Sequence, residues 1–275
     1  MLVTLKDLLP AAAEGRYAVP CFNVFGNEEV MAVLAAAESL GRGVILACNK
    51  DMAADMGVLG FAGMVRGLAS ASTVPVVVHL DHCDDEEVIC AALRAGFTSV
   101  MYDGSQLPLE DNIAHTARVA CVAHAFGASI EGEIGSVPYT EGRDHIRSEL
   151  TDPQEARAFA QRSGIDAMAI SVGNVHRLPT ASSQIDFERM AQIAAVTELP
   201  LVIHGTSGIR EADLLRLKTM RVAKFNVGTT LRMAFARSLR ASLAASPEQF
   251  DRLTLMKPVR VALQAEARRV MQVLA

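Results

Sequence analysis

The sequence lacks a basic stripe and is poor in aromatic residues. The first shortage limits the expected binding partners, and the second indicates the kind of core that the chain can form. Its formal net charge is -5 over 275 residues. Nucleic acid and anionic membrane surfaces are therefore not expected as partners. Aromatic residues account for 5% and Trp is absent, whereas hydrophobic residues, mostly small aliphatic ones, make up 51%. Such a chain can bury one sizeable core in which helices pack on strands.

Long apolar runs and paired cysteines are missing as well. No uncharged apolar stretch reaches the length of a membrane span. Residues 1–10 carry Lys6 and Asp7 where a signal peptide would have its apolar centre. The five cysteines form no CxxC pair, so neither a disulfide framework nor a thiolate metal site is expected, and we interpret them as buried, inert thiols. Together these features predict a cytoplasmic protein.

Short apolar runs alternate with helical patterns along the whole chain. The predicted strands are residues 17–23, 44–48, 76–80, 99–102, 129–133, 167–171, 201–204 and 223–226. A helix-like segment follows each strand, and residues 258–274 form one further helix at the C-terminus. Because parallel strands need crossover helices, this pattern predicts a single (β/α)8 TIM barrel over residues 1–275, with an extra C-terminal helix. The rival doubly wound sheet would show a glycine-rich dinucleotide turn after its first strand, and residues 23–27 do not form one.

One long segment, residues 134–150, carries no regular pattern between the fifth strand and its helix. A loop of that length in a small barrel is usually functional. We therefore expect it to be a mobile flap over the active site.

Three of the seven histidines stand at or just past predicted strand ends: His82 after the third strand, His176 after the sixth and His204 at the seventh. Catalytic residues of barrels gather at the carboxyl ends of the strands. Neutral imidazoles bind divalent ions such as zinc, and three protein ligands leave one position open for a substrate. The sequence therefore predicts a metal site, whose ion could act as a Lewis acid on a carbonyl group.

Two glycine-containing turns, at residues 205–208 and 226–229, run from the last two strands into helix N-termini. Backbone N–H groups and hydroxyls at such turns can bind an anion, and these two loops are the usual phosphate site of a barrel. We expect a phosphate group to bind beside the metal.

The chain resembles the class II, metal-dependent ketose-bisphosphate aldolases, the group of fructose- and tagatose-bisphosphate aldolases. The resemblance runs over residues 5–269. Its motifs are Tyr17-Ala-Val-Pro-Cys-Phe-Asn23, His79-Leu-Asp-His82, Met101-Tyr-Asp-Gly-Ser105, Glu131-Gly-Glu-Ile-Gly135, Thr151-Asp-Pro153, His204-Gly-Thr-Ser207 and Lys224-Phe-Asn-Val227.

The resemblance implies a role for several residues at the reacting centre. It implies that His82, His176 and His204 bind the ion, zinc or another divalent metal, with Glu133 as a nearby carboxylate. Asp81 corresponds to the residue that exchanges a proton with the aldehyde oxygen. Asn226 corresponds to the residue that steadies the enediolate, and Glu141 to a mobile glutamate that exchanges the α-carbon proton. From the residues alone, Asp81 could instead orient His82, and Glu141 could be a solvated loop charge.

The resemblance also implies how a substrate would be held. Contacts to the phosphate of dihydroxyacetone phosphate are implied for Gly205, Thr206, Ser207, Gly228 and Thr229, and pocket-lining positions for Asn23 and Ser105. A monovalent cation assists phosphate binding in many members, and dimers or tetramers are common.

The chain departs from the family pattern at three places. Arg177 stands where a glycine usually follows the second histidine, and its guanidinium could bind the phosphate directly or obstruct it. Pro138 and Tyr139 replace paired glycines of the flap, and the arginine that would bind the aldehyde's phosphate has only Arg252 near its place.

Three functional hypotheses follow. The first is a zinc-dependent aldolase that reversibly cleaves a ketose (bis)phosphate to dihydroxyacetone phosphate and an aldehyde. The second is an aldolase for another substrate, such as a ketose 1-phosphate or a phosphorylated keto-acid. The third is an altered member that binds a sugar phosphate without turnover.

Overall fold

The eight strands of the computed structural model, which describes residues 1–139 and 148–275, close into a parallel barrel. They pair in chain order, and β1 also pairs with β8. Their bounds are β1 Val19–Asn23, β2 Val44–Asn49, β3 Val76–Cys83, β4 Ser99–Tyr102, β5 Ser129–Ile134, β6 Ala167–Ile170, β7 Leu201–Ile203 and β8 Val222–Val227. The predicted TIM barrel is confirmed, and each predicted strand overlaps one of these strands.

Helices surround the barrel between the strands. They are α1 Leu5–Gly15, α2 Asn27–Leu40, α3 Lys50–Asp55, α4 Val58–Ala69, α5 Glu86–Ala95, α6 Leu109–Ala125, α7 Pro153–Arg162, α8 Phe187–Val196, α9 Glu211–Lys218, α10 Thr229–Ala245 and α11 Arg252–Leu274, with a 3-10 turn at Thr206–Gly208. In the described residues, no helix is both long and apolar enough to span a membrane.

The barrel wall separates two apolar layers because successive strand residues point to opposite sides. In β2, Ile45 and Ala47 belong to the cluster inside the barrel, whereas Val44, Leu46 and Cys48 belong to the layer between strands and helices. This alternation leaves inward positions near the carboxyl ends of the strands for polar side chains.

Helix α1 closes the amino end of the barrel and was not predicted. Its Leu5 and Leu9 are fully buried in the cluster inside the barrel, and burial of each such side chain is worth about 1.5–3 kcal/mol. The sequence does carry a start signal, because Thr4 and Asp7 form a capping box at the first turn. Pro10 is a conflicting local signal, because proline is unfavourable in the interior of a helix.

The C-terminal helix is present but begins earlier than predicted. Helix α11 starts at Arg252, where the carboxylate of Asp251 accepts a hydrogen bond from Thr254 N at 2.9 Å. The start predicted from the sequence, residue 258, is therefore wrong by six residues. Here Pro258 lies inside the helix.

Three of the five cysteines, Cys21, Cys48 and Cys83, are buried as predicted, but Cys121 is exposed and Cys90 only partly buried. The prediction of burial is wrong for Cys121, which lies on the outward face of α6.

The predicted flap is described only at its two ends. Ser136 and Glu149 pair as an antiparallel bridge, and Pro138 O accepts a hydrogen bond from His176 N at 2.8 Å. The flap's residues 140–147, with the proposed proton carrier Glu141, lie outside the described residues.

Candidate metal centre

The three predicted ligand histidines meet at the carboxyl end of the barrel. Ligand atoms of His82, His176 and His204 all lie within 4.8 Å of one another. His82 Nε2 and His204 Nδ1 point at each other, 2.6 Å apart. The residues therefore fit a divalent ion held by three imidazoles with one open position.

An irregularity at the end of β3 directs His82 into this centre. The register of β3 on β4 shifts between Leu80 and Cys83, and His82 has a φ of 50°. A non-glycine residue in this left-handed region carries strain of about 1–2 kcal/mol. The departure from regular strand geometry allows the consecutive residues Asp81 and His82 both to reach the site.

Two carboxylates orient the rings that face each other. His82 Nδ1–H donates to Asp103 at 2.9 Å, and His204 Nε2–H donates to Glu131 at 2.9 Å. These bonds leave a lone pair on His82 Nε2 and on His204 Nδ1, the two converging nitrogens. Such carboxylate–histidine pairs fix the tautomer that a metal requires.

Asp103 was not among the residues predicted for the site. It belongs to the motif at residues 101–105, and its position directly after β4, at the carboxyl end of a strand, is the signal that could have identified it.

The environment shifts the pKa values of the three imidazoles in different directions. Burial, with the charge of His82 second, lowers the pKa of His176 well below its usual value and also lowers that of His204. For His82, burial also acts to lower the pKa, but neighbouring groups, of which Asp81 has the largest effect, outweigh burial and raise it well above the usual value. His82 is therefore the ring at which a proton competes most strongly with a metal.

Asp81 lies beside the centre and is held by two amides. Its carboxylate accepts hydrogen bonds from Asn23 Nδ2 at 2.8 Å and from Asn226 Nδ2 at 2.9 Å. Burial acts to raise the pKa of Asp81, yet the charges of His82, His204 and Lys224 outweigh burial and hold it well below its usual range. An ionised Asp81 can accept a proton.

A buried ion pair supports the centre from inside the barrel. Lys224 Nζ lies 2.8 Å from Glu131 and donates to Asn226 Oδ1 at 2.6 Å. Neither partner is exposed, so removal of one would leave an uncompensated buried charge at a cost of about 3–5 kcal/mol. Glu131 thus bridges Lys224 and the ring of His204, a connection that the sequence analysis did not assign.

Glu133 occupies a second carboxylate position near His82. Its Oε2 lies 3.7 Å from His82 Nδ1, and with Asp103 it forms another group able to hold a cation. Burial, followed by the charge of Asp103, raises the pKa of Glu133 to about 8. Without a cation nearby, this carboxyl therefore tends to keep its proton at neutral pH.

The two predicted anion loops follow the neighbouring strands β7 and β8, and both line the same cleft as His82. Gly205 has a φ of 68°, and an added Cβ would meet Val175 O, so only glycine fits there. Thr206 and Ser207 form the 3-10 turn after it, and Gly228 immediately precedes α10, which begins at Thr229. The first turn of α10 presents backbone N–H groups toward the cleft.

Most predicted site residues line one cleft, which encloses about 580 Å³ of empty space. Those present are Asn23, Asp81, His82, His176, Arg177, Gly205, Thr206, Ser207, Asn226, Gly228 and Thr229. Lys50 and Arg232 line it too, and the sequence analysis named neither.

Two other predicted residues lie on the opposite side of His82. Ser105 and Glu133 line a neighbouring cleft together with Asp103, and the Ser105 hydroxyl donates to Asp103 at 2.7 Å. Arg252 lines neither cleft and pairs with Glu28 at 2.8 Å on the outside of the barrel.

Two of the three departures from the family pattern lie at His176. The Tyr139 ring stacks on the His176 ring at 4.3 Å between centroids, and Arg177 lies 5.4 Å from the Tyr139 ring centre. Arg177 has a φ of 60°, so the position where glycine is usual retains the left-handed conformation that favours glycine.

Comparison with known proteins agrees with this geometry. A family model described as "Fructose-bisphosphate aldolase class-II" matches residues 3–275. The "Probable fructose-bisphosphate aldolase" of Bacillus subtilis (strain 168) is 38% identical over 271 residues, which cover 96% of this chain and 94% of that protein. The fructose-bisphosphate aldolase of Geobacillus stearothermophilus is 39% identical over 272 residues, covering 96% and 93%.

Among solved structures, the YdjI aldolase from Escherichia coli K12 matches 100% of this chain and 98% of its own, at 29% identity and a TM-score of 0.87. The strand-end residues and both sets of matches lead to one conclusion. The protein belongs to the class II fructose-bisphosphate aldolase family and is a metal-dependent aldehyde-lyase.

Proposed function

We propose that this enzyme reversibly cleaves a ketose (bis)phosphate to dihydroxyacetone phosphate and an aldehyde, with zinc as its metal. The main support for the proposal is the convergence of His82, His176 and His204. The first two of these histidines line one cleft together with the two anion loops. The names of the two relatives, both fructose-bisphosphate aldolases, support a phosphorylated ketose.

His82, His176 and His204 are the proposed ligands, and Glu133 is a further carboxylate within reach of His82. Three imidazoles favour zinc over harder ions such as magnesium. When bound, the ion supplies Lewis acidity that polarises the donor's carbonyl group.

Asp81 is the proposed acid–base group. In cleavage, its carboxylate takes the proton from the C4 hydroxyl of the ketose, and in condensation it returns that proton to the aldehyde oxygen. The low pKa of Asp81 and the two amide donors, Asn23 and Asn226, support an ionised, firmly oriented base before cleavage.

Asn226 and Glu141 are proposed to act on the donor fragment. The amide of Asn226 is hydrogen-bonded to both Asp81 and Lys224. Its N–H group can therefore donate a hydrogen bond to the negative charge that develops on the donor fragment. Glu141 is proposed to exchange the proton at the α-carbon, and this role rests on the family resemblance alone.

The donor's phosphate is proposed to bind at Gly205, Thr206, Ser207, Gly228 and Thr229, which line the same cleft as Asp81. Ser105, across His82 in the neighbouring cleft, is proposed to face the aldehyde fragment. Family membership supports a cytoplasmic homodimer or homotetramer in which residues 1–275 act as one domain.

Substitution of Asp81 tests the proposal. We expect Asp81→Asn to keep its metal content and lose about 10²–10⁴-fold in the rate of triose-phosphate release, because only the proton acceptor is removed. Release is followed in a coupled assay, and metal content by elemental analysis. The exposed Asp111→Asn variant on α6 serves as the control of equal charge change and should cleave at the parent rate.

Removal of the metal by a chelator is the second test of the proposed function. Complete metal removal should abolish cleavage, and added zinc should restore it. Cleavage that survives in demonstrably metal-free enzyme would refute the mechanism. A metal-loaded enzyme that releases no triose phosphate from any ketose phosphate, but accepts a phosphorylated keto-acid, would establish the alternative substrate class.

A further inference from the structure

Among the described residues, three cationic side chains line the cleft, and two of them have an anionic partner in that part of the chain. Lys50 Nζ lies 2.7 Å from Asp84, and Arg177 Nη2 lies 3.2 Å from Asp51. Arg232 has neither a hydrogen bond nor an ion pair with any residue in the two described segments. The cleft thus carries an uncompensated positive charge beside the anion loops.

The position of Arg232 is well defined in spite of that missing partner. It lies in the first turn of α10, with its guanidinium carbon 5.6 Å from the centre of the Phe25 ring. Its Nη2 is 3.6 Å from the point where a Cβ on Gly228 would be. The guanidinium therefore lies over the backbone of the second anion loop.

The electrostatic environment of Arg232 is unfavourable without an anion. Burial, and after it the charge of Arg177, lowers its pKa from the usual value. A guanidinium stays protonated in proteins nonetheless, so the two positive charges repel each other across a partly buried site. An anion with several acceptor oxygens would relieve that repulsion and satisfy the unused N–H groups.

We infer that Arg232, with Arg177 beside it, binds the phosphate of the donor substrate directly and replaces the monovalent cation that the family resemblance implies. The inference rests on the proposed function for the identity of that phosphate. A small cation at the same place would meet two guanidinium charges instead of neutral backbone, so its binding is disfavoured.

Binding of inorganic phosphate to the zinc-loaded enzyme tests this inference directly. Titration calorimetry is run with tetramethylammonium as the only monovalent cation, and again with potassium or sodium at matched ionic strength, so that general screening is equal. We expect the same affinity for phosphate with tetramethylammonium, potassium and sodium. We expect Arg232→Gln to weaken it about 10–100-fold, the range for hydrogen bonds to a charged group.

Matched variants separate the role of this side chain from the loss of one charge. Arg237→Gln changes the same charge on an exposed position of the same helix and should bind phosphate as the parent does. Arg177→Gln should weaken binding, with unchanged zinc content showing that His176 is still in place. The double variant should gain affinity on addition of potassium.

A kinetic comparison extends the test to the donor substrate. With dihydroxyacetone phosphate, Arg232→Gln should lower the condensation rate at limiting donor, whereas with unphosphorylated dihydroxyacetone it should leave the rate unchanged. Parent enzyme that binds phosphate only when potassium or sodium is present overturns the inference, and so does an Arg232→Gln variant with parental affinity. Phosphate binding through Arg232 in an enzyme that cleaves no ketose phosphate supports the inference and refutes the proposed function instead.

Discussion

At the scale of single residues, the histidines owe their orientation to carboxylates on other strands. Asp103 follows β4 and accepts from His82, and Glu131 on β5 accepts from His204. Each bond selects which ring nitrogen keeps its lone pair, so the carboxylates determine whether three nearby imidazoles can share one ion.

Loss of the Asp103 carboxylate should weaken metal binding. Asp103→Asn removes the acceptor that holds His82 Nδ1–H, and we expect about a 10–100-fold loss in zinc affinity. Competition with a chelator of known affinity measures this loss. Asp55→Asn, on the exposed end of α3, is the control. Parental zinc affinity in Asp103→Asn would show that packing alone orients His82.

At the scale of helices and strands, backbone conformation decides which side chains face the cleft. Within residues 1–139 and 148–275, the non-glycine residues with positive φ are Arg16, His82, Arg177 and Arg221. Two of these, His82 and Arg177, lie at the site, where the strained backbone conformation orients the side chain toward the cleft. Arg16 and Arg221 lie at the ends of elements away from the cleft, so their strained backbone does not orient a side chain of the site.

Relief of that strain at Arg16 should stabilise the protein. Arg16 ends α1 with a φ of 56° and is exposed, a position where glycine avoids the steric cost. We expect Arg16→Gly to raise the free energy of unfolding by about 0.5–1 kcal/mol. Arg157→Gly, in the middle of α7 where φ is helical, should lower it by about 1 kcal/mol. Urea unfolding of both variants checks the opposite signs, and equal signs would contradict this explanation.

At the scale of the whole molecule, the barrel brings a set of ionisable groups into its dry interior. His79, Glu131 and Lys224 are completely buried there on three different strands. Burial first, then the charge of Lys224, lowers the pKa of His79 to about 3. His79 is therefore neutral in the folded protein and hydrogen-bonded to Ser99 at 2.8 Å.

This neutral histidine predicts a dependence of stability on pH. In the unfolded chain, His79 binds a proton below about pH 6.5. In the folded state, its pKa is about 3, so it binds a proton only near that pH. The contribution of His79 to the free energy of unfolding is thus fully present above pH 6.5, and it declines as the pH falls from about 6.5 toward 3. For metal-free enzyme, His79→Gln should show a shallower decline than the parent in urea unfolding across this window.

The His115→Gln variant is the control for that experiment, because the side chain of His115 is 40% exposed and lies outside the barrel on α6. It should retain the parental slope. An unchanged slope in His79→Gln would mean that His79 titrates normally in the folded protein.

Much of the fold and the ligand set could be predicted from the sequence, because both depend on local signals. Apolar period, helix caps and glycines mark each strand and helix, and a barrel places all strand ends at one rim. His82, His176 and His204 could therefore be grouped without coordinates. Helix α1 and the true start of α11 were missed where an internal proline conflicted with a cap.

The order of the eight strands, the rim where their carboxyl ends meet and the residues able to bind a metal thus follow from local patterns in the sequence. Three features depend on the folded chain: Asp103 and Glu131 orient the histidines, Lys224 pairs with Glu131, and Arg232 lies beside the anion loops. These contacts join residues far apart in the chain, and their energies depend on burial and distance. Neither quantity exists until the barrel has closed.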